Sequence, residues 1–453
     1  MKKPSRHSLL IRIVPLTLFS LLMACQTPGR GLRPDPDPLR EARNLTMQGH
    51  GQKAFEAFDA ILGRQPDNLD AHRGLVEAAY FIGRLVEVEK RYTGMLGGDR
   101  AGFGHYGLAL VAVARGPGGL VFALKSFAEA CRLLPEEADA PYRMGLLHLR
   151  NEDCNKALPS FARASVLDKQ WAAPRIASAH CLEQLSRDAE AMVALRPVLD
   201  ADARDADLSR ARLIADRIFD PERGIPVEIL PDLHKATELL SREAVQQALI
   251  NLDNVLIHHP HISLAYTLKG LAQSRLNNSG EAVVAFGKAL ELRPDSPDAL
   301  VGLGDLYARV QKWKEARENY DQAVEINPFY QAARLRLADL AIAREDFRRA
   351  AHQLEVAIRL DPKDMGNRYR YSEVLVTLGK LKEALGLLEE ILQKHPEALE
   401  ALIRAGRLYM ILSKSEPAKA ADFRQRAQEC LQTAHEVAPD NQAVSEMMES
   451  MED

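Results

Sequence analysis

From residue 260 onwards, the pattern of apolar, small and polar positions repeats every 34 residues. Each period closes on a proline, at Pro260, Pro294, Pro328, Pro362 and Pro396. Residues at the same distance before each proline are alike, and we call such a set a column. One column is small, Gly270, Gly304, Ala338 and Ser372, and a later one is bulky, Phe286, Tyr320, Leu354 and Leu388. Helices pack closely only where a side chain is nearly absent, and a proline cannot continue a helix. The pattern therefore predicts helix–turn–helix units, each ending just before its proline.

This order of columns with this period resembles the tetratricopeptide repeat. The resemblance is specific over residues 260–396, where consecutive periods are unbroken. It implies an all-α fold, a right-handed superhelical solenoid of about 11 helix–turn–helix units. It also implies an interaction scaffold, whose partner depends on the side chains that line its groove.

The repeat columns divide the chain into two arrays. The N-terminal array is predicted over residues 39–205 and the C-terminal array over 229–441, and the proline-containing stretch 206–228 is predicted to be an irregular junction. Within the C-terminal array, the insert Ser413–Ala421 is expected to lengthen the loop between the last two helices. Residues 442–453 form an acidic tail, interpreted as a solvated capping helix, with a docking peptide as the alternative.

Composition supports helices and excludes one class of partner. Charged residues make up 27% of the chain and aromatic residues 6%, which suits helices more than sheets. The formal net charge is −4, so no basic excess indicates a nucleic-acid partner.

Residues 1–24 have the layout of a secretory signal peptide, with lysines and arginines before a short apolar run. The run Ile13–Ala24 is too short to span a bilayer as a mature helix. It ends at Cys25 in a segment that resembles the lipobox of bacterial lipoproteins, and the resemblance implies that Cys25 is lipidated. Because Gln26 follows, the resemblance favours the periplasmic face of the outer membrane. An ordinary secreted protein with a chance cysteine is the alternative.

The segment 25–38 is rich in proline and glycine and is predicted to be an extended tether. Four more cysteines follow it, at Cys131, Cys154, Cys181 and Cys430. An oxidising compartment permits disulfides, but cysteines in columns of small or apolar residues are more simply interpreted as buried thiols. Cys154 and Cys181 belong to neighbouring repeats, and whether they pair stays open.

No motif for catalysis, phosphate binding or zinc binding is found, so no catalytic residue, metal, cofactor or small-molecule substrate is predicted. The cluster His258, His259 and His261 is the only local feature that resembles a metal site. It falls at a predicted helix end, where cations are favoured by the helix dipole, and a solvated terminus is the better interpretation.

The candidate site is the groove lined by the first helix of each repeat. One column of that face carries Asp305, Asp339 and Glu373, with Arg275 and Arg309 on the first two units. These charges could orient a bound peptide, while Val301, Leu335 and Ile403 supply apolar contact. Solvated surface charges at helical spacing are the alternative.

The sequence thus predicts a lipid-anchored periplasmic scaffold that binds cell-envelope proteins, contacts the membrane only through its lipid and is not an enzyme. By resemblance, such lipoproteins serve type IV pilus assembly, outer-membrane assembly or polysaccharide export. The alternatives are an enzyme or enzyme subunit with a site at 206–228, and a peptidoglycan or polysaccharide binder.

Overall fold

A computed structural model describes residues 37–200 and 203–452 of the chain. The predicted signal peptide 1–24, Cys25 and nearly all of the predicted tether 25–38 lie outside the described residues. All regular secondary structure in the described part is helical, which confirms the all-α prediction. No helix of this part is long and apolar enough to cross a membrane.

The helices of the N-terminal part are short and regular. In order they are α1 Pro38–Met47, α2 Gly51–Arg64, α3 Leu69–Phe81, α4 Leu85–Met95, α5 Ala101–Ala114, α6 Leu120–Leu133, α7 Asp139–Arg150, α8 Cys154–Leu167, α9 Ala172–Gln184, α10 Asp188–Leu195 and α11 Asp205–Ile218.

The C-terminal part continues in the same manner. Its helices are α12 Leu230–Ser241, α13 Val245–His258, α14 Ser263–Arg275, α15 Ser279–Leu292, α16 Pro297–Arg309, α17 Trp313–Ile326, α18 Gln331–Ala343, α19 Phe347–Leu360, α20 Met365–Thr377, α21 Leu381–Lys394, α22 Leu399–Ser415, α23 Ala420–Val437 and α24 Gln442–Glu452.

Consecutive helices pack as antiparallel pairs, and each pair is one repeat. The chain forms two compact units, one ending at Ile214 and the other beginning at Ala215. The first unit holds five pairs, α1–α10, and the second holds six, α12–α23. Within each pair, we call the earlier helix the first helix and the later one the second helix.

The predicted small and bulky columns meet where helices cross. The ring of Phe286 on α15 lies between Gly270 of α14 and Gly302 of α16, where an added Cβ would come within 2.7 and 2.4 Å of ring atoms. Gly304 of α16 leaves the same space for Tyr320 of α17. An aromatic ring therefore fills the gap that each glycine leaves, and this packing sets the repeat spacing.

The turn after most first helices uses a left-handed residue. Glu243, Asn277, Gln311, Glu345 and Gly379 have φ between 58° and 75°, and they recur at the repeat period. The following residue donates its N–H to a carbonyl five residues back, as in Asn278 to Gln273 at 2.9 Å. This is the Schellman end of a helix, and here it is made mostly without glycine.

The insert near the C-terminus lengthens two helices and not the loop between them. The predicted longer loop over Ser413–Ala421 is wrong, because α22 runs to Ser415 and α23 begins at Ala420. Only a short turn, Pro417–Lys419 in a 3-10 conformation, separates the two helices. The inserted residues are good helix formers apart from the proline, so they lengthen the helices instead of the loop.

The domain boundaries stay predictions. The structure makes most of the predicted junction 206–228 helical, since α11 extends to Ile218. The predicted tail contains α24, whose Val444 is fully buried beside Leu402 and Ala434. Helix α24 thus covers the last apolar surface of the repeat array.

A buried charge cluster holds first helices of the N-terminal unit together. Asp139 of α7 is 4% exposed and accepts hydrogen bonds from Arg143 at 2.5 Å and from Arg73 of α3 at 3.1 Å. The hydroxyl of Tyr106 on α5 donates to the same carboxylate. Burial raises the pKa of Asp139, but the guanidinium groups of Arg143 and Arg73 lower that pKa further, so it is lowered overall.

Candidate partner-binding face

A ladder of ion pairs crosses the first helices of the C-terminal unit. Each rung joins a carboxylate to an arginine 31 residues later, on the first helix of the next repeat. The rungs are Asp305 with Arg336 at 2.9 Å, Asp339 with Arg370, and Glu373 with Arg404 at 2.5 Å. Arg336 also lies 3.8 Å from Asp339 on its own helix, which links the first two rungs. We call these six residues the ion-pair ladder.

The periodicity of the fold places the ladder. Neighbouring first helices lie side by side, so a carboxylate meets a side chain one helical turn earlier on the next helix. The arginines at that position recur every 34 residues, at Arg336, Arg370 and Arg404. The acidic column alone does not point to these arginines, although their own 34-residue spacing in the sequence is a signal that could have identified them.

The ladder is open to solvent. Its side chains are between 26% and 60% exposed. Burial opposes the charge on Arg336, but the carboxylate of Asp305 outweighs it and raises the pKa of Arg336. Exposed ion pairs typically contribute only about 0–1 kcal/mol to folding, so stability alone does not account for three aligned rungs.

The structure brings the three predicted carboxylates into one row, but places the two predicted arginines elsewhere. Arg275 donates to the carbonyl of Leu240, and Arg309 donates to the carbonyl of Ser274 at 2.6 Å. Both carbonyls lie at the end of the preceding first helix, the negative end of its dipole. Arg275 and Arg309 thus connect neighbouring repeats, and their role in orienting a bound peptide stays a prediction.

The predicted apolar contacts are less accessible than expected. Val301 is 8% exposed and lies in the core, so it offers almost no surface to a partner. Leu335 and Ile403 are half-buried against neighbouring core clusters. Tyr369 on this face remains partly exposed instead, and Arg404 of the ladder lies over its ring at 5.5 Å. Tyr369 therefore adds aromatic surface directly beside a rung.

The alternative of a site at the junction gains no specific support. An open cavity of 620 Å³ borders it, lined by residues that include Glu228, Asp232, Lys235 and His258. Rings of His258 and His259 lie 6.5 Å apart between centroids. Throughout residues 37–200 and 203–452, no group of three or more His, Cys, Asp or Glu side chains is placed to hold a metal ion.

Comparison with known proteins agrees with this architecture. A profile of the tetratricopeptide repeat family matches residues 267–331 and 335–398. No curated protein matches the chain.

Several solved structures are similar to parts of the chain. YrrB, described as a TPR protein with an unusual peptide-binding site, is 22% identical over 44% of this chain and 97% of that chain, with a TM-score of 0.36. PilW, described as a widely conserved type IV pilus biogenesis factor, is 18% identical over 49% of this chain and 99% of that chain, with a TM-score of 0.38. A tetratricopeptide repeat protein from Parabacteroides merdae is 18% identical over 58% and 97%, with a TM-score of 0.32.

The profile match identifies tetratricopeptide repeats over residues 267–331 and 335–398, and the eleven helix pairs of the described residues share their helix–turn–helix architecture. Repeats of this kind present an extended surface to protein partners.

Proposed function

We propose that this chain is a non-enzymatic scaffold that binds segments of partner proteins along the first helices of its C-terminal unit. The observation that carries the proposal is the ion-pair ladder, in which exposed charges of both signs follow one another across four repeats. A partner segment whose charges follow the complementary order can form ion pairs with the ladder residues in place of the ion pairs within the ladder. Such complementarity gives orientation and register more than raw affinity.

The affinity itself comes from surface area. A specific interface buries at least about 1,000 Å² summed over both partners, and a face built from four stacked helices can supply this chain's part of that area. Tyr369 beside Arg404 offers aromatic contact, and tyrosine and arginine are the residues that most often dominate binding energy at interfaces.

Replacing Asp339 with lysine should weaken partner binding while changing the free energy of unfolding by less than about 1 kcal/mol, because the carboxylate is 48% exposed. The measurement is crosslinking in intact envelopes followed by quantitative mass spectrometry. Glu291→Lys is the matched control, since Glu291 is an exposed carboxylate on a second helix. Proteins crosslinked to the control and lost from Asp339→Lys are the expected partners.

A charge-swapped variant separates binding from stability. Asp339→Arg with Arg370→Asp restores an ion pair across the same two helices but inverts its polarity. If a partner reads the order of charges, binding stays weak in this double variant. Unchanged partner binding by the Asp339→Lys variant would show that the ladder is not the partner site.

The proposal includes anchoring by lipid at Cys25, on the periplasmic face of the outer membrane, and a role in assembling a cell-envelope complex of the type IV pilus, outer-membrane or polysaccharide-export kind. The support is the apolar run that ends at Cys25. A Cys25→Ala chain should leave the membrane fraction, whereas Cys430→Ala should remain there. Release of neither variant would point to anchoring by another route and contradict the lipid assignment.

A further inference from the structure

Two cysteines of the N-terminal unit lie side by side in its core. Cys154 is the first residue of α8 and Cys181 lies in the last turn of α9. Both belong to one apolar cluster, with exposures of 5% and 0%. The Sγ of Cys154 reaches the side chain of Gln184, which lies one helical turn after Cys181 on α9, so the two cysteines lie on the facing sides of neighbouring helices. Burial raises the pKa of Cys181. All four described cysteines are free thiols in the structure.

One of the two cysteines borders an open cavity. Cys154 lines an open cavity of 470 Å³, together with Asp153, Asn155 and Gln184. Its thiol donates a hydrogen bond to the side-chain oxygen of Gln184 at 3.0 Å. Cys181 does not line this cavity, so a reagent that enters it meets Cys154 first.

The other thiols are separated from this pair. Cys131 packs in the cluster of the first repeats, and Cys430 belongs to the second compact unit. Neither shares the cavity that Cys154 borders. The structure therefore singles out Cys154 and Cys181 among the described cysteines.

We propose that Cys154 and Cys181 are a site of reversible oxidation, at which exchange with a disulfide-containing oxidant joins α8 to α9. The thiolate of Cys154 attacks one sulfur of the oxidant, whose other sulfur leaves as a thiolate and takes up a proton. The thiolate of Cys181 then attacks the mixed disulfide at the Cys154 sulfur and releases the second oxidant thiol. The pair loses two electrons and two protons, and the oxidant is reduced to two thiols.

The bond would fasten consecutive repeats, because α8 is a second helix and α9 is the first helix of the next pair. In the reduced chain, apolar packing and the hydrogen bond from Cys154 to Gln184 hold this interface. A covalent link between the two helices lowers the conformational entropy of the unfolded chain. The oxidised form should therefore unfold at a higher temperature than the reduced form.

The test treats the folded full chain with oxidised glutathione, then unfolds it, alkylates free thiols and maps the peptides by mass spectrometry. The expected product is a peptide pair linked through Cys154 and Cys181, with a higher unfolding midpoint that dithiothreitol reverses. Cys131→Ala is the matched control and should form the same link. In Cys181→Ala, the mixed disulfide cannot resolve, and glutathione should remain on Cys154.

Three outcomes would overturn the proposal. Both cysteines could stay fully alkylatable in the wild-type chain, which would show that the site does not react. The wild-type chain could end with glutathione on Cys154, which would show that Cys181 does not resolve it. A dominant link to Cys131 or Cys430 would show that a different pair reacts. None of these results depends on partner binding by the C-terminal unit.

Discussion

Replacing Asp139 with alanine is expected to lower the free energy of unfolding of the N-terminal unit by about 3–5 kcal/mol. The carboxylate is buried and shared by Arg143 and Arg73, with a third hydrogen bond from Tyr106. Without it, both buried guanidinium groups lose an ion pair, although Arg73 keeps the one with Asp70 on its own helix. Removal of one partner is far more costly than replacement of a whole buried cluster with apolar side chains, because the remaining charges stay in the core.

Urea unfolding followed by tryptophan fluorescence measures this effect. The chain has only two tryptophans, and Trp171 lies in the first unit while Trp313 lies in the second. The control is Asp59→Ala, which removes an exposed ion pair with Arg91 and should cost less than about 1 kcal/mol. Equal losses from the two variants at Trp171 would mean that the buried cluster contributes no more than a surface pair.

The helix pairing could be predicted because it depends on local pattern. Gly270, Gly304, Phe286 and Tyr320 recur at one period, and each glycine does face an aromatic ring in the structure. The columns thus reflect a steric requirement within each repeat: one helix needs a small residue where the bulky side chain of the other helix packs. This is why the class of fold followed from the sequence without knowledge of any long-range contact.

The charged contacts could be predicted only in part, because they depend on pairing between repeats. Asp139 and Arg73 are 66 residues apart, and nothing in either helix alone distinguishes a buried charge from a solvated one. In the ladder, the column of carboxylates was visible, whereas its arginine partners required the relative rotation of neighbouring helices. The left-handed turns at Glu243 and Glu345 could not be predicted either, because glycine is the usual sequence signal for that conformation and neither turn contains one at this position.

His72 should make the N-terminal unit less stable as the pH falls from 6.5 to 4. The side chain is 2% exposed, and its Nε2 lies 2.8 Å from the carbonyl of Pro66 while its Nδ1 lies 3.0 Å from the hydroxyl of Tyr92. A carbonyl only accepts, so Nε2 carries the proton and Nδ1 accepts from Tyr92. Burial is the largest cause that lowers the pKa of His72, to about 4.

The sign of the effect follows from proton binding. An unfolded histidine takes up a proton near pH 6.5, whereas folded His72 does so only near pH 4, so the unfolded state binds more protons between these values. Full protonation of the unfolded state should cost about 3 kcal/mol of stability by pH 4. The lowered pKa of Asp139 acts below the unfolded value of 3.8, outside this window.

Unfolding free energies at a series of pH values, read at Trp171, provide the measurement. His72→Gln replaces the ring with a side chain that does not titrate, so its stability should vary much less between pH 6.5 and 4 than that of the wild-type chain. Half-exposed His148, whose pKa burial also lowers, should add a smaller dependence of the same sign to both proteins. If the two curves run parallel across this window, His72 takes up its proton equally well in the folded and unfolded chain, and its burial does not control the acid sensitivity of the unit.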